Sequence, residues 1–556
     1  MALLAPLTDP LEQLPHQMEL KCSNCGFSAR YERPISRCPR CGEDILEVHY
    51  DLTFLQEHGW WEAAQHRRAG LWRFRELLPI KDYQHIVTLG EGDTPLMHMQ
   101  NLGAMLGLKH LYFKDERQNP THSFKDRQAT VAISVMREEN IAEAVVASTG
   151  NVAIAYSAYA ARAGIKLWAF MPSLTPNEKI REVAVYGTEV VKVTGTYDQT
   201  KTMAASFAER RGIFYDRGIK SLAAMESMKT MAFEIAQQLG SAPDWFIQGV
   251  SGGMGPIGVT KGFAELHAMG LVEKVPGIIL IQSSGCAPMV EAFNNGQPVA
   301  VPVENPTTII ATLATANPGR AYQLLWDLMQ KYGGLAASAS DQEAFEATRL
   351  LARTEGLSVE PATAVALAGL IRLVRQGKIK AHEVVVFNCT GHTFPVETHI
   401  LGDQWEKKVD LSKAKRDTDV PESSLRNILR DVGKKARKVV IIEDNEASAR
   451  LMMRILQGTG HQAHIASDGE AGLNLVRQIR PDLIITDLMM PRLDGFQVIQ
   501  SLKEDASLRH IPVIVLTAKE LTVKEKTQLD GQVDSLLKKG SVMNEDLLQN
   551  ILDSLN

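Results

Sequence analysis

The chain has 556 residues, and 60 Lys and Arg against 65 Asp and Glu leave a formal net charge of −5. At roughly 150 residues per domain that length implies three to four domains, and the near-balance of charge gives no general reason to expect nucleic-acid or membrane partners. Hydrophobic residues at 45% and charged residues at 22% are ordinary globular proportions, which excludes a disordered or fibrous chain. The opening stretch, MALLAPLTDPLEQLPHQMELK, lacks a basic start, a long apolar core and a small-residue cleavage site. The longest uncharged stretch, Ala144 to Ala161, is interrupted by Ser148, Thr149, Gly150 and Asn151, short of the ~18 consecutive apolar residues of a membrane span. A soluble, cytoplasmic, multidomain protein is expected.

The first punctuation is a pair of cysteine turns. Cys22-Ser-Asn-Cys25 and Cys38-Pro-Arg-Cys41 are two C-x2-C units separated by twelve residues, each followed by a glycine, Gly26 or Gly42. Each turn sets two thiolates on one side of a tight loop, and two such turns complete a tetrahedral four-sulfur site for Zn2+. Disulfides or redox thiols are disfavoured in a reducing compartment. Four protein ligands leave no open position, so the expected zinc is structural, and Cys286 and Cys389 are expected to be packed thiols.

From about Leu52 to Gly402 short apolar runs alternate with longer helical patterns. The runs include Ala144–Ala147, Leu167–Phe170, Val190–Val193, Trp245–Ile247, Ile278–Ile281 and Val384–Phe387. Such an order predicts βαβ units and buried parallel sheets. Asn119-Pro-Thr-His-Ser-Phe-Lys-Asp-Arg127 places Lys125 after a turn and at the start of a helix, where an amine can form a Schiff base with an aldehyde cofactor. Ala147-Ser-Thr-Gly-Asn151 follows a strand and opens a helix, offering amides and hydroxyls to a carboxylate. Gln248-Gly-Val-Ser-Gly-Gly-Met-Gly-Pro-Ile-Gly258 also follows a strand, and its glycines permit close approach to a phosphate. Its Gly253-x-Gly255-x-x-Gly258 formally matches a dinucleotide fingerprint. That fingerprint wants an acid at the end of the next strand, where this chain has Gln282.

Together these segments resemble the threonine synthase branch of the tryptophan-synthase-β-like, fold type II family of pyridoxal-phosphate enzymes. The resemblance runs from about Cys22 to Gly402 and includes Gly90-Glu-Gly-Asp-Thr-Pro-Leu96, Glu360-Pro-Ala-Thr-Ala364 and Asn388-Cys-Thr-Gly-His392. It implies a two-lobed α/β domain in which Lys125 carries pyridoxal 5′-phosphate and shuttles the proton at the substrate's α-carbon. Asn151 would meet the ring hydroxyl, Thr390 the pyridine nitrogen, and Val250, Ser251, Gly252, Gly253 and Met254 the cofactor phosphate. Ser148, Thr149, Asn151 and Val152 would bind the substrate carboxylate. Threonine synthases usually carry Asn-Ser-x-Asn-Pro-x-Arg to grip the substrate phosphate; the matching region here reads Tyr215-Asp-Arg-Gly-Ile-Lys-Ser221. Arg217, Lys220 and Lys229 are the cations at hand for that role.

Residues 403–436 are charge-dense and carry no strand signal, with one amphipathic helix expected over Leu425, Ile428, Leu429 and Val432. Beyond them Val439–Ile442, Ala463–Ile465, Leu483–Ile485, Val513–Leu516 and Val533–Leu537 read as the strands of one doubly wound domain. Glu443, Asp444 and Asp487 stand at strand ends, where carboxylates converge on one edge and suit Mg2+. With Thr517 and Lys539 in register, the tail resembles the receiver domain of response regulators, a flavodoxin-like (βα)5 fold. The resemblance implies phosphorylation at Asp487, Mg2+ held by Asp444, Glu443, Asp487 and the Met489 carbonyl, and Thr517 and Lys539 as the switch pair. Lys538 competes with Lys539; spacing and the following Gly540 favour the latter. Leu536 takes the place of an aromatic switch residue.

The expected division is a zinc ribbon at 20–50, a catalytic domain at 51–402, a linker at 403–436 and a receiver at 437–556. The expected partners are a phosphorylated amino acid, a histidine kinase or phosphotransfer protein, and a second copy of the chain in a homodimer. The expected activity is that of a pyridoxal-phosphate-dependent lyase converting O-phosphohomoserine and water to threonine and phosphate. Alternatives are a cysteate synthase-like or threonine/serine dehydratase-like enzyme of the same fold, or a signalling protein with a degenerate ligand-sensing domain.

Overall fold

The computed structural model describes residues 18–35, 37–173, 175–392, 438–458 and 461–517, and beyond them Glu525, Leu529, Val533 and 535–538. The expected linker helix over Leu425, Ile428, Leu429 and Val432 lies outside the described residues, as does Lys539. The cysteine segment folds on a small antiparallel sheet of β1 (Met18–Lys21), β2 (Ser28–Arg30) and β3 (Glu47–Tyr50), with β1 central.

Ten strands follow in the next part of the chain: β4 (Leu96–His98), β5 (His110–Asp115), β6 (Glu143–Ala147), β7 (Lys166–Pro172), β8 (Glu189–Val193), β9 (Phe214–Asp216), β10 (Trp245–Gly249), β11 (Gly277–Ser283), β12 (Gly334–Ala339) and β13 (Val384–Cys389). They build two sheets, one ordered β12-β11-β10-β13-β5-β4 and the other β8-β7-β6-β9. All pairings are parallel except that of edge strand β4 with β5. The parallel strands are covered on both faces, which is why they read as continuous apolar runs. Alternation sorts their side chains: Phe246, Ile278, Leu280 and Val386 join one core, while Ile247, Ile279, Ile281, Val385 and Phe387 join the other. The helix Lys125–Glu138, almost wholly buried, packs beside the helix Asn151–Ala163 of the smaller sheet's lobe.

The tail builds β14 (Lys438–Ile442), β15 (Gln462–Ala466), β16 (Leu483–Thr486), β17 (Val513–Thr517) and β18 (Ser535–Lys538), all parallel in the order β15-β14-β16-β17-β18. That is the flavodoxin-like winding expected of the receiver fold, with the topological switch beside β14.

Candidate active site and acidic strand edge

The lysine loop is fastened to the end of β13. Ser123 bridges Gly391, and the Phe124 N–H donates to the Thr390 carbonyl at 3.1 Å. Thr121 donates through its N–H and hydroxyl to the Asp126 carboxylate at 2.9–3.1 Å, closing the turn that precedes Lys125. Lys125 is the first residue of its helix. It retains some exposed surface, yet burial lowers its amine to about 8 against the opposing pull of the Glu360 carboxylate. Among the described residues Nζ has no hydrogen-bond or ion-pair partner. Nζ stands over the Phe124 ring, 4.1 Å from its centroid.

Glu360 is the centre of the constellation. It precedes the helix Pro361–Arg375 and is 3% exposed. Thr390 Oγ1 donates to its Oε1 at 2.6 Å, Asn151 Nδ2 donates to its Oε2 at 2.8 Å, and Lys179 Nζ lies 3.9 Å from Oε2. Thr363 Oγ1 stands 2.8 Å from Thr390 Oγ1 and accepts the Thr390 N–H at 2.9 Å. The motif beginning at Glu360 was visible in the sequence, but a role for its carboxylate was not. Its partners lie on segments far apart in the chain.

Ser148 shapes the turn before the helix Asn151–Ala163: its Oγ accepts from Gly150 N and Ala153 N, both at 3.0 Å. The first amides of that helix lack intrahelical partners and open towards the turn. At the other end of the site the helix Met254–Ala268 starts after Gly253, whose φ of 82° is left-handed. Space is open above Gly252, whereas a Cβ on Gly249 would meet the Ala362 carbonyl oxygen at 2.3 Å. Val250 departs from its expected place in this cradle: it is buried, and its N–H is spent on the Ile281 carbonyl at 2.8 Å. The available phosphate-facing segment is therefore Ser251 to Met254. A partnerless amine, a hydroxyl and amide in reach of one carboxylate, and an open helix start fit an aldehyde cofactor that carries a phosphate.

The proposed substrate-phosphate cations have acid partners of their own. Lys220 Nζ lies 2.5 Å and Arg217 Nη1 3.8 Å from Asp44 of the cysteine segment. Lys229 is fully buried between Glu226 at 2.8 Å and Glu265 at 3.0 Å. Burial counts against Lys229 alone, and all three pairings involve acids that the linear motif does not contain.

The four front cysteines form one cluster. Cys22 Sγ is 3.6 Å from Cys41 Sγ, and Cys25 Sγ is 3.6 Å from Cys38 Sγ. A tetrahedral site with Zn–S bonds of about 2.3 Å has sulfur–sulfur edges of about 3.8 Å, far longer than a disulfide. The two turns match: Gly26 N donates to Cys22 O and Gly42 N to Cys38 O, with both glycines left-handed. Backbone donation from Glu43 lowers the Cys41 thiol to about 6. Cys286 and Cys389 are buried and unpaired as thiols.

In the tail, one carboxylate oxygen from each of Glu443, Asp444 and Asp487 lies within 4.8 Å of the others. Glu443 and Asp487 are buried and Asp444 is exposed. Asp487 Oδ1 accepts the Leu488 N–H at 2.6 Å. Thr517 ends neighbouring β17 and is buried, while Met489 is exposed in the loop after Asp487. Hard oxygen donors at this edge fit Mg2+. Lys538 lies on β18 opposite Thr517 in register.

Two lobes meeting around an unpaired lysine and a glycine-rich helix start define a cofactor-dependent α/β enzyme, joined to a domain with an acidic strand edge. The chain belongs to the pyridoxal-phosphate dependent enzyme family, matched over residues 87–391, and carries a response regulator receiver domain, matched over residues 439–552. It is 37% identical over 374 residues to the threonine synthase of Methanocaldococcus jannaschii, covering 67% of this chain and 91% of that relative. Identity to the threonine synthase of Methanosarcina acetivorans is 34% over 375 residues, with the same shares covered, 67% and 91%. A solved holo diaminopropionate ammonia lyase from Escherichia coli shares the fold at a TM-score of 0.50 and 16% identity, over 70% of this chain and 96% of that one. Among the described residues no helix is long and apolar enough to cross a membrane.

Proposed function

We propose that the chain is a threonine synthase under receiver control, replacing the γ-phosphate of O-phosphohomoserine with a β-hydroxyl drawn from water. The observation that carries this reading is the 37% identity extending over 91% of a threonine synthase. When bound, pyridoxal phosphate supplies the electron sink that makes protons beside an amino acid's nitrogen labile.

The chain's own residues supply position and proton transfer. Lys125 Nζ joins the cofactor and afterwards removes and returns the proton at the substrate's α-carbon. An amine lowered to about 8 exchanges protons near neutral pH. The Ser251–Met254 segment holds the cofactor phosphate, and the Thr149–Val152 turn holds the substrate carboxylate through amides and a hydroxyl. Asn151 and Thr390 orient the ring, each in turn oriented by Glu360. Zn2+ at Cys22, Cys25, Cys38 and Cys41 braces the front segment. Mg2+ at Glu443, Asp444, Asp487 and the Met489 carbonyl would attend phosphorylation of Asp487 by a histidine kinase or phosphotransfer partner. A cytoplasmic homodimer is the proposed setting.

The test is incubation of the purified protein with O-phosphohomoserine, following threonine and phosphate together, beside Lys125→Ala. Equimolar threonine and phosphate are expected, and neither from Lys125→Ala. Ammonia and a keto acid from threonine or serine, without turnover of O-phosphohomoserine, would replace this reading with the dehydratase one. No observation favours the dehydratase, cysteate synthase-like or ligand-sensor alternatives over it.

A further inference from the structure

We infer that Lys179 grips the phosphate of the substrate, in place of the cations that the linear motif suggested; this rests on the threonine synthase reading above. Lys179 lies in the helix Asn177–Val185 of the smaller lobe and is 13% exposed at its side chain. It lines a cavity with Thr149, Ile309, Thr312 and Glu360, so it borders both the Ser148–Asn151 turn and the carboxylate that Asn151 and Thr390 share. Its stem crosses that turn: a Cβ on Gly150 would lie 2.8 Å from Lys179 Cδ. Gly150 has a φ of 144° and no side chain to obstruct the approach.

The ammonium has three donors. One meets the neutral Asn151 Oδ1 at 3.1 Å, and Glu360 at 3.9 Å is too far for a direct hydrogen bond. Two donors therefore remain for a ligand. On the reading above the substrate carboxylate is met by the Asn151 and Val152 amides and the Thr149 hydroxyl, and so does not require this cation. The phosphate does require one: Lys229 is buried between Glu226 and Glu265, Arg217 and Lys220 pair with Asp44 of the cysteine segment, and of these four cations Lys179 is the one that lines the cavity beside Thr149. A compact point charge with free donors is suited to a phosphate oxygen.

The experiment compares wild type with Lys179→Met and Lys179→Arg, each first shown to carry the visible band of the lysine-linked cofactor. Three probes are used: O-phosphohomoserine kinetics, competitive inhibition by inorganic phosphate, and spectral titration with phosphate-free L-threonine. Loss of a charge-assisted contact should raise the KM for O-phosphohomoserine and the inhibition constant of phosphate about ten- to a hundredfold in Lys179→Met. L-threonine binding should stay within about twofold of wild type, and Lys179→Arg should restore most of the phosphate affinity. Unchanged phosphate inhibition in Lys179→Met overturns the inference while leaving the threonine synthase reading intact. Equal losses for phosphate and L-threonine overturn it in favour of a carboxylate contact. A wild type indifferent to the phosphate group overturns both.

Discussion

At the scale of single residues, the chemistry turns on an amine and the carboxylate that governs it. Lys125 must be neutral to attack an aldehyde, and burial brings its pKa to about 8. Loading of the cofactor-free protein with pyridoxal phosphate, followed by the visible band, should therefore slow about tenfold per pH unit well below that value. Lys125→Ala should show no such band at any pH. Glu360 pulls the amine upward, so Glu360→Gln should move the midpoint of the loading profile to lower pH; an upward move would show that the carboxylate acts on Lys125 through structure and not charge. Lys125 was legible in the sequence because its neighbours form a recognisable run. Glu360 was not, because its meaning resides in Asn151, Lys179 and Thr390, none of them near it in the chain. The pairing of Arg217 and Lys220 was hidden for the same reason: their acid is Asp44, far upstream.

Between elements, two buried ionic networks do the fastening. In one, Glu234 accepts from Lys114 on β5 at 2.7 Å and from Arg127 on the lysine helix at 2.7 Å, and receives the Asp93 N–H at 2.8 Å. Burial alone would raise the Glu234 carboxyl, but Arg127 and Lys114 overcome it and hold it below the ordinary range. The network thus ties the Gly90–Leu96 loop to the helix that presents Lys125. Glu234→Ala should destabilise the protein by about 3–5 kcal/mol by leaving Lys114 without its buried carboxylate and Arg127 with Glu116 alone, read by denaturant unfolding. An effect below ~1 kcal/mol would mean the site relaxes or admits water. In the second network Lys261, on the helix that begins at the glycine-rich loop, donates to the Val48 carbonyl of β3 at 2.6 Å, and Tyr50 OH donates to Glu226 at 3.2 Å. Cys22→Ser or Cys41→Ser should lower zinc content and release the front segment to proteolysis. Full zinc content in both variants would rule out the four-thiolate site. These networks also explain which strands escaped sequence reading. His110-Leu-Tyr-Phe-Lys-Asp115 ends in two charged residues that are buried because Glu234 receives Lys114 and Arg117 pairs with Asp115. Gly334-Leu-Ala-Ala-Ser-Ala339 is built of small residues with little strand preference. The runs rich in Val and Ile, by contrast, were found with their ends displaced by a residue or two.

Across the whole molecule, the open question is what an enzyme gains from a receiver on the same chain. The acid edge brings oxygens of Glu443, Asp444 and Asp487 within 4.8 Å, and Asp487 keeps one oxygen fixed by the Leu488 amide. An acyl phosphate at Asp487 would add negative charge and acceptor oxygens there, with Mg2+ and Thr517 placed to stabilise them. Glu443 and Asp487 are buried, so added charge there carries a desolvation cost that a local rearrangement around β16 and β17 would relieve. Phosphorylation is proposed to alter turnover by favouring one of two arrangements of the receiver and the enzyme. A coupling of about 1–3 kcal/mol would change substrate affinity from severalfold to about a hundredfold. The expected result is a change in kcat or KM for O-phosphohomoserine after acyl-phosphate treatment with Mg2+, absent from Asp487→Ala and from protein treated without Mg2+. Because linkage is reciprocal for binding, a non-reacting substrate analogue should in turn alter the equilibrium extent of phosphorylation. Identical kinetics and oligomeric state in phosphorylated and unphosphorylated protein, with the phosphate confirmed on Asp487, would leave the enzyme uncoupled from the receiver.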